Sequence, residues 1–285
     1  MSSKRSRLSR INGRIVPVSL EYMRKVINQG CNDIYLLRNG LIHRIGAIIF
    51  HEDILSNMIN NITKNALKNP FDFHSDGKDL IYTFRLSYLF DDLIFNMMSF
   101  YDYLAGFIGY IVYDEEIRSL AVGFDPLDQN EKNIDHLRSV LYKMSWTEIA
   151  KMCKGGPNNK FLEFESNKYF DTELSQVITN HDKNFIEGLS RYRNRIIHNE
   201  SDSPNLHLTI SIPSNSKSKF FAPPSFEKYF SKSPEIFEES LNLLINNFSD
   251  SIEEIFNALE NYIESNRKVD KGKEFLLYKH ELDDD

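Results

Sequence analysis

The segment from Asp79 to Tyr113 constrains this chain more than any other. It contains no proline, and Phe, Leu, Ile and Tyr fall on every side of a helical projection. A surface helix needs one apolar stripe, whereas a helix that is apolar all round must be covered. The segment therefore predicts a long central helix, buried by neighbouring helices or by a partner subunit. With 285 residues, 41% of them hydrophobic and 26% charged, the chain can build such a cover. The expected class is all-α.

Other elements arrange themselves around that helix. Ser19 can cap a helix carrying Met23, Val26 and Ile27 at helical spacing. A helical pattern runs through about 34–65, with breaks expected near Gly30 and Gly46, and 70–77 reads as a loop. After Asp125-Pro126 a helix is expected over about 130–145. Residues 154–160 form a loop, but it lacks the Gly-Lys-Ser/Thr ending of a phosphate-binding loop. A helix is expected from Thr172 to about Asn199. Leu206, Leu208, Ile210 and Ile212 then alternate with polar residues, which predicts a small β-hairpin insertion over about 205–223. Ser233-Pro234 opens a last helix over about 234–267, with proline in the first turn. Residues 1–16 read as a flexible basic N-terminus and 17–285 as a single helical domain.

The net charge is −7, so any contact with nucleic acid must be local. Basic residues gather in two places: Lys4, Arg5, Arg7, Arg10 and Arg14, and Arg191, Arg193 and Arg195. Cys31 and Cys153 form no C-x-x-C pair, which argues against a disulfide framework or a zinc site. A reducing, cytoplasmic setting is expected. No apolar run follows the basic start, so no secretory signal is expected. Leu104 to Val112 is far too short to cross a bilayer, which takes roughly 20 apolar residues. No membrane, metal or cofactor is implied.

The chemistry concentrates at Arg193-Asn194-Arg195-Ile196-Ile197-His198. RNA can be cut without a metal when its 2′-hydroxyl attacks the adjacent phosphorus. A base takes the hydroxyl proton, an acid protonates the leaving 5′-oxygen, and a cation steadies the phosphorane. Histidine, with a pKa of about 6.5, can serve as base or acid. The planar arginine fork suits phosphate oxygens. At about 100° per residue, Arg193 and His198 stand about 140° apart on an ideal helix. They share a face only if the helix ends or bends within the motif, whereas Asn194 and His198 share one already. One copy supplies one histidine, while the reaction wants two proton-transfer groups.

The R-N-x-x-x-H spacing, the preceding Tyr192 and the upstream Tyr101-Asp102-Tyr103-Leu104-Ala105 resemble the pattern of HEPN domains, best over about residues 80–200. The large stand-alone bacterial members are the group this chain resembles. The resemblance implies a HEPN-like helical bundle and metal-independent endoribonuclease activity in a toxin or anti-phage setting. It also implies a homodimer whose motif helices meet in a composite cleft, and an antitoxin or regulatory partner. In that reading His198 is the acid/base, Arg193 stabilises the phosphorane and Asn194 orients. Arg191 and Arg195 contact the RNA backbone, with Tyr192 and Asp102 in support. Asp91 and Asp102, eleven positions apart, fall close to one face of the central helix, where polar positioning of the site, or a salt bridge to Arg191 or Arg193, is expected.

Plainer readings stand beside this one. Arg191 can pair with Glu187 one turn away, and His198 can serve as a helix C-terminal cation. A non-catalytic HEPN module that binds a protein or a nucleotide carries the same motif. Arg38-Asn39-Gly40-Leu41-Ile42-His43 repeats the spacing, but it has too little chain before it for the preceding helices of such a domain, and a glycine inside it. Coincidence is the expected reading there. A motif face lined with carboxylates would favour the module, and an open electropositive cleft the nuclease.

Overall fold

The computed structural model describes residues 8, 11, 33–68, 78–112, 139, 141–154, 173–197, 207–210, 218–221 and 234–266. Among these residues the protein is all-α, apart from one short strand pair. The expected helix starting at Ser19 and the loops over 70–77 and 155–160 lie outside them.

Two long helices form the centre, α1 (Asp33–Lys68) and α2 (Lys78–Val112). They run antiparallel. Leu37 meets Gly106, Gly40 meets Tyr103, Arg44 meets Asn96 and His51 meets Asp92, so the register descends along α2 as it rises along α1. Leu37, Leu41, Ile45, Ile48, Leu55 and Ile59 are buried at helical spacing on α1. That stripe carries the helix through Gly40 and Gly46, and the break expected near Gly46 does not occur. Gly40 has a packing reason: a Cβ there would lie 2.4 Å from the Tyr103 ring.

Along α2, Phe90, Met97, Phe100, Tyr101, Leu104, Phe107, Ile108 and Tyr110 are all buried. The cover for these residues comes from the chain's own helices, while Tyr88 on the same helix is 68% exposed. Packing on α2 are α3 (Trp146–Cys153), α5 (Glu187–Ile197) and α6 (Pro234–Asn266), while α4 (Glu173–His181) packs on α3 and α6. Trp146 lies edge-on to Tyr101 at 5.0 Å, and Phe248 of α6 meets both Phe100 and Tyr101. The Tyr101 hydroxyl donates to Ser251 at 3.1 Å, which satisfies it inside this aromatic cluster. Leu8 and Ile11 are helical and buried, so the first sixteen residues are not all outside the core.

Two expectations need correction. The helix placed over 130–145 ends at Tyr142, and a turn leads into α3, which the hydrophobic pattern alone did not separate. Its start is set by Ser145 and Glu148. The Glu148 carboxylate accepts from the Ser145 amide at 2.8 Å and from its hydroxyl at 3.0 Å. The motif helix, expected unbroken from Thr172, is interrupted by a π-helical turn over Asp182–Ile186, where the Glu187 amide reaches back to the Asp182 carbonyl. A π turn takes in an extra residue and so changes which faces align before and after it. Beyond α5, backbone segments β1 (His207–Ile210) and β2 (Ser218–Phe221) pair antiparallel, His207 opposite Phe221 and Ile210 opposite Ser218. No helix among the described residues is long and apolar enough to cross a membrane.

Candidate active site on the motif helix

α5 reaches α2 through two consecutive residues. Tyr192 is buried, edge-on to Phe90 at 5.4 Å, and its hydroxyl donates to Asp91 at 2.9 Å. Burial raises the phenol's pKa, and the neighbouring Asp91 adds to the effect. Tyr192 therefore acts as a neutral anchor for the helix. Asp91 is itself pushed up to about 6, first by burial and then by Asp92, against the lowering effect of the Tyr192 hydrogen bond.

Arg193 turns the other way along α2. Its Nη1 donates to Asp102 Oδ2 at 3.4 Å, while its Nε is buried and has no hydrogen-bond partner. Asp91 and Asp102 are about three helical turns apart, roughly 16 Å along the axis, and lie on one side of α2. Adjacent residues of α5 thus hold α2 at two separated points, which fixes both the height and the rotation of the motif helix. Asp102 is tied twice: its Oδ1 accepts the Trp146 amide at 3.0 Å at the start of α3. Burial raises its pKa, opposed by the Trp146 N–H and by Arg193, with Glu148 adding to the rise. The carboxylate links α2, α3 and α5, and the Arg193 side chain is 25% exposed beside it.

The remaining motif residues divide. Arg191 is ion-paired with Glu187 on the same helix, and both are open to solvent. Asn194 is exposed. The Arg195 side chain and the whole of His198 lie outside the described residues. α5 is described as far as Ile197, one residue short of His198. The π turn is also held in place from outside: Asp182 accepts from Trp146 Nε1 at 3.2 Å and pairs with Lys154 at 2.6 Å.

The look-alike stretch on α1 is built differently. Arg38 donates to its neighbour Asn39, Asn39 and His43 are exposed, and Gly40 seats Tyr103. Elsewhere, His51 Nδ1 lies 2.7 Å from the Ala47 carbonyl and His181 pairs with Glu254 at 2.7 Å. Among the described residues no three His, Cys, Asp or Glu side chains gather as a metal site. Burial raises the pKa of the Cys153 thiol, which disfavours the thiolate a nucleophile needs. The sequence reading missed the tie from Asp102 to Trp146. Its signal was the Ser-x-x-Glu pattern at Ser145–Glu148, which marks a helix start.

Comparison with models of protein families, with curated proteins and with solved structures finds no match to this chain.

Proposed function

We propose that this chain is a HEPN-type, metal-independent endoribonuclease. The observation that carries the reading is the state of Arg193. A permanent cation sits on the last turns of the motif helix, oriented by Asp102, with a quarter of the side chain open. Asp102 is engaged on its other oxygen by the Trp146 amide, so it orients the guanidinium while leaving other donors of the fork for a phosphate. Arg193 would stabilise the phosphorane, and His198 would move the protons. Asn194 would orient the substrate, and Arg191 and Arg195 would touch the RNA backbone. A second proton-transfer group would come from a second copy, in a homodimer with a composite site.

One observation favours the non-catalytic module instead. Both motif arginines whose side chains are described face a carboxylate, Arg191 with Glu187 and Arg193 with Asp102. RNA would have to compete with Glu187, though that exposed pair is weak, about 0.3–0.5 kcal/mol. Incubation with unmodified RNA in excess EDTA separates the two readings. The nuclease cuts, leaves 2′,3′-cyclic phosphate ends, and loses activity on His198→Ala. A module leaves the RNA intact, and a strict Mg²⁺ requirement overturns the mechanism.

A further inference from the structure

Beside the motif helix lies an open cleft of about 320 Å³ between α1, α2 and the turn that precedes α3. Arg44, Asp102, Tyr103, Tyr142, Lys143 and Ser145 contribute to its walls. Three features set it apart from an ordinary surface groove. First, its charge opposes that of the chain. Arg44 and Lys143 are the cations, and the one carboxylate in the wall, Asp102, is already shared with Arg193. Second, Arg44 is oriented rather than free to swing. Its Nη1 donates to Asn96 at 2.8 Å, Asn96 is anchored in turn on the Asp92 carbonyl at 2.7 Å, and the guanidinium lies 6.0 Å from the centre of the Tyr103 ring. Third, the wall offers an aromatic face. Tyr142 is 42% exposed, although a large aromatic of this kind is ordinarily covered.

Oriented cations next to an exposed aromatic ring are what unpaired nucleic acid needs, because every base has a face that stacks and every link carries a phosphate. The volume, near the lower end of small-ligand sites, suits one nucleotide rather than a duplex. Asp102 connects the cleft to the motif: it forms part of the wall and also takes the Arg193 guanidinium.

We propose that this cleft is a single-stranded RNA subsite holding a nucleotide next to the scissile link, with its base on Tyr142 and its phosphate between Arg44 and Lys143. The assignment rests on the RNA-directed reading of the motif helix. Tyr103 is a positioning residue: it holds Arg44, and Gly40 makes room for its ring.

The test is fluorescence anisotropy with a labelled, uncleavable 2′-O-methyl RNA oligonucleotide over a salt series, on the full chain. Tyr142→Ala should weaken binding at least about fivefold, and Tyr142→Phe should restore it, because the ring rather than the hydroxyl stacks. Lys143→Ala should lower the slope of log affinity against log salt by about 0.7, the value of one single-strand phosphate contact. Both side chains are exposed, so circular dichroism should show an unchanged fold. Wild-type affinity and slope in both variants overturn the subsite. So does an equal loss on an RNA duplex, whose bases are not free to stack. Binding of adenosine monophosphate as tight as that of the oligonucleotide overturns the RNA assignment in favour of a free nucleotide. Cleavage of unmodified RNA, measured in parallel, keeps the two proposals apart. His198-dependent cutting with neutral Tyr142 and Lys143 variants refutes the subsite alone. Loss of binding in those variants without any cutting by the wild type refutes the nuclease alone.

Discussion

The chain carries the pattern Arg-Asn-x-x-x-His twice, and the two copies occupy different surroundings. At Arg193-Asn194 the arginine leaves its own helix and pairs with Asp102 across a helix–helix contact, next to a buried Tyr192 that locks α5 onto α2. At Arg38-Asn39 the arginine donates to the next residue, and the glycine that follows serves to seat Tyr103. The same letters thus meet a carboxylate across a helix contact in one place and, in the other, a glycine whose position is set by packing. A motif acquires a role through the partners the fold brings to it. That contrast supports the proposed assignment of chemistry to the Arg193 copy.

Four expected outcomes bear on this contrast. The largest concerns chemistry. His198→Ala should lower cleavage about 10²- to 10⁴-fold, as for loss of a general acid or base. Arg193→Ala should lower it about 10²- to 10³-fold, as for loss of one transition-state donor. His43→Ala should leave the rate close to wild type. Rate measurements on all three, with circular dichroism to check the fold, decide the matter. A His43→Ala loss as deep as that of His198→Ala would make the two copies equivalent and erase the distinction. Mixed dimers of wild type and His198→Ala extend the test to the proposed composite site: severe impairment supports it, and retention of half the activity assigns one complete site to each subunit.

A smaller effect is expected in stability. Gly40→Ala forces a methyl group to within 2.4 Å of the Tyr103 ring, and should cost about 1–3 kcal/mol as an overpacked contact. Gly46 sits on the same helix with nothing within 4 Å of its missing Cβ, so Gly46→Ala should stabilise by up to about 1 kcal/mol. Urea midpoints measure both. Equal effects at the two glycines would mean that the Gly40–Tyr103 contact does not hold α1 and α2 together.

Next comes pH. Asp91 has its pKa raised to about 6 in the fold from an ordinary 3.8. A carboxyl with a raised pKa favours the fold when protonated. Its contribution is complete below the unfolded value and is lost as pH rises through about 6. Asp91→Asn keeps an acceptor for Tyr192 and removes the titration. The stability difference between variant and wild type should therefore shift in the variant's favour between pH 4 and 6.5. Denaturation at several pH values tests this, and a difference that stays flat across the window would contradict the burial of Asp91. The smallest effect belongs to the exposed pair on α5: Glu187→Ala should change stability by no more than about 0.5 kcal/mol. A larger loss would show that this ion pair, and not only Tyr192 and Arg193, holds the motif helix.

Much of this arrangement could be read in advance where periodicity carries the signal. The central helix was expected from Asp79 and runs from Lys78; the last was expected from Pro234 to about Arg267 and ends at Asn266. In both, long uninterrupted apolar patterns leave little choice of structure. That an aspartate of the central helix could meet an arginine of the motif helix was within reach, but the choice of Arg193 over Arg191 was not. The misses have local causes. α3 is only eight residues long, too short for its period to stand out, and its start depends on Glu148 and on Asp102 from a distant helix. The π turn leaves no apolar signature, since Phe185 and Ile186 are buried on either reading of the helix.

The sequence by itself determined that this chain is helical, which segment lies at its centre, and which arginines and histidines sit together along the chain. Those properties follow from hydrophobic period and from spacing, both of which act locally. Only the tertiary structure decided that Arg193 is gripped while Arg191 stays on its own helix, and that the central helix from Phe90 to Val112 is largely covered by the chain's own helices. It also decided that Arg44, Tyr142 and Lys143, from two distant parts of the sequence, line one cleft. Such outcomes depend on which faces meet and on what burial does to the charges caught between them. No single segment carries that information.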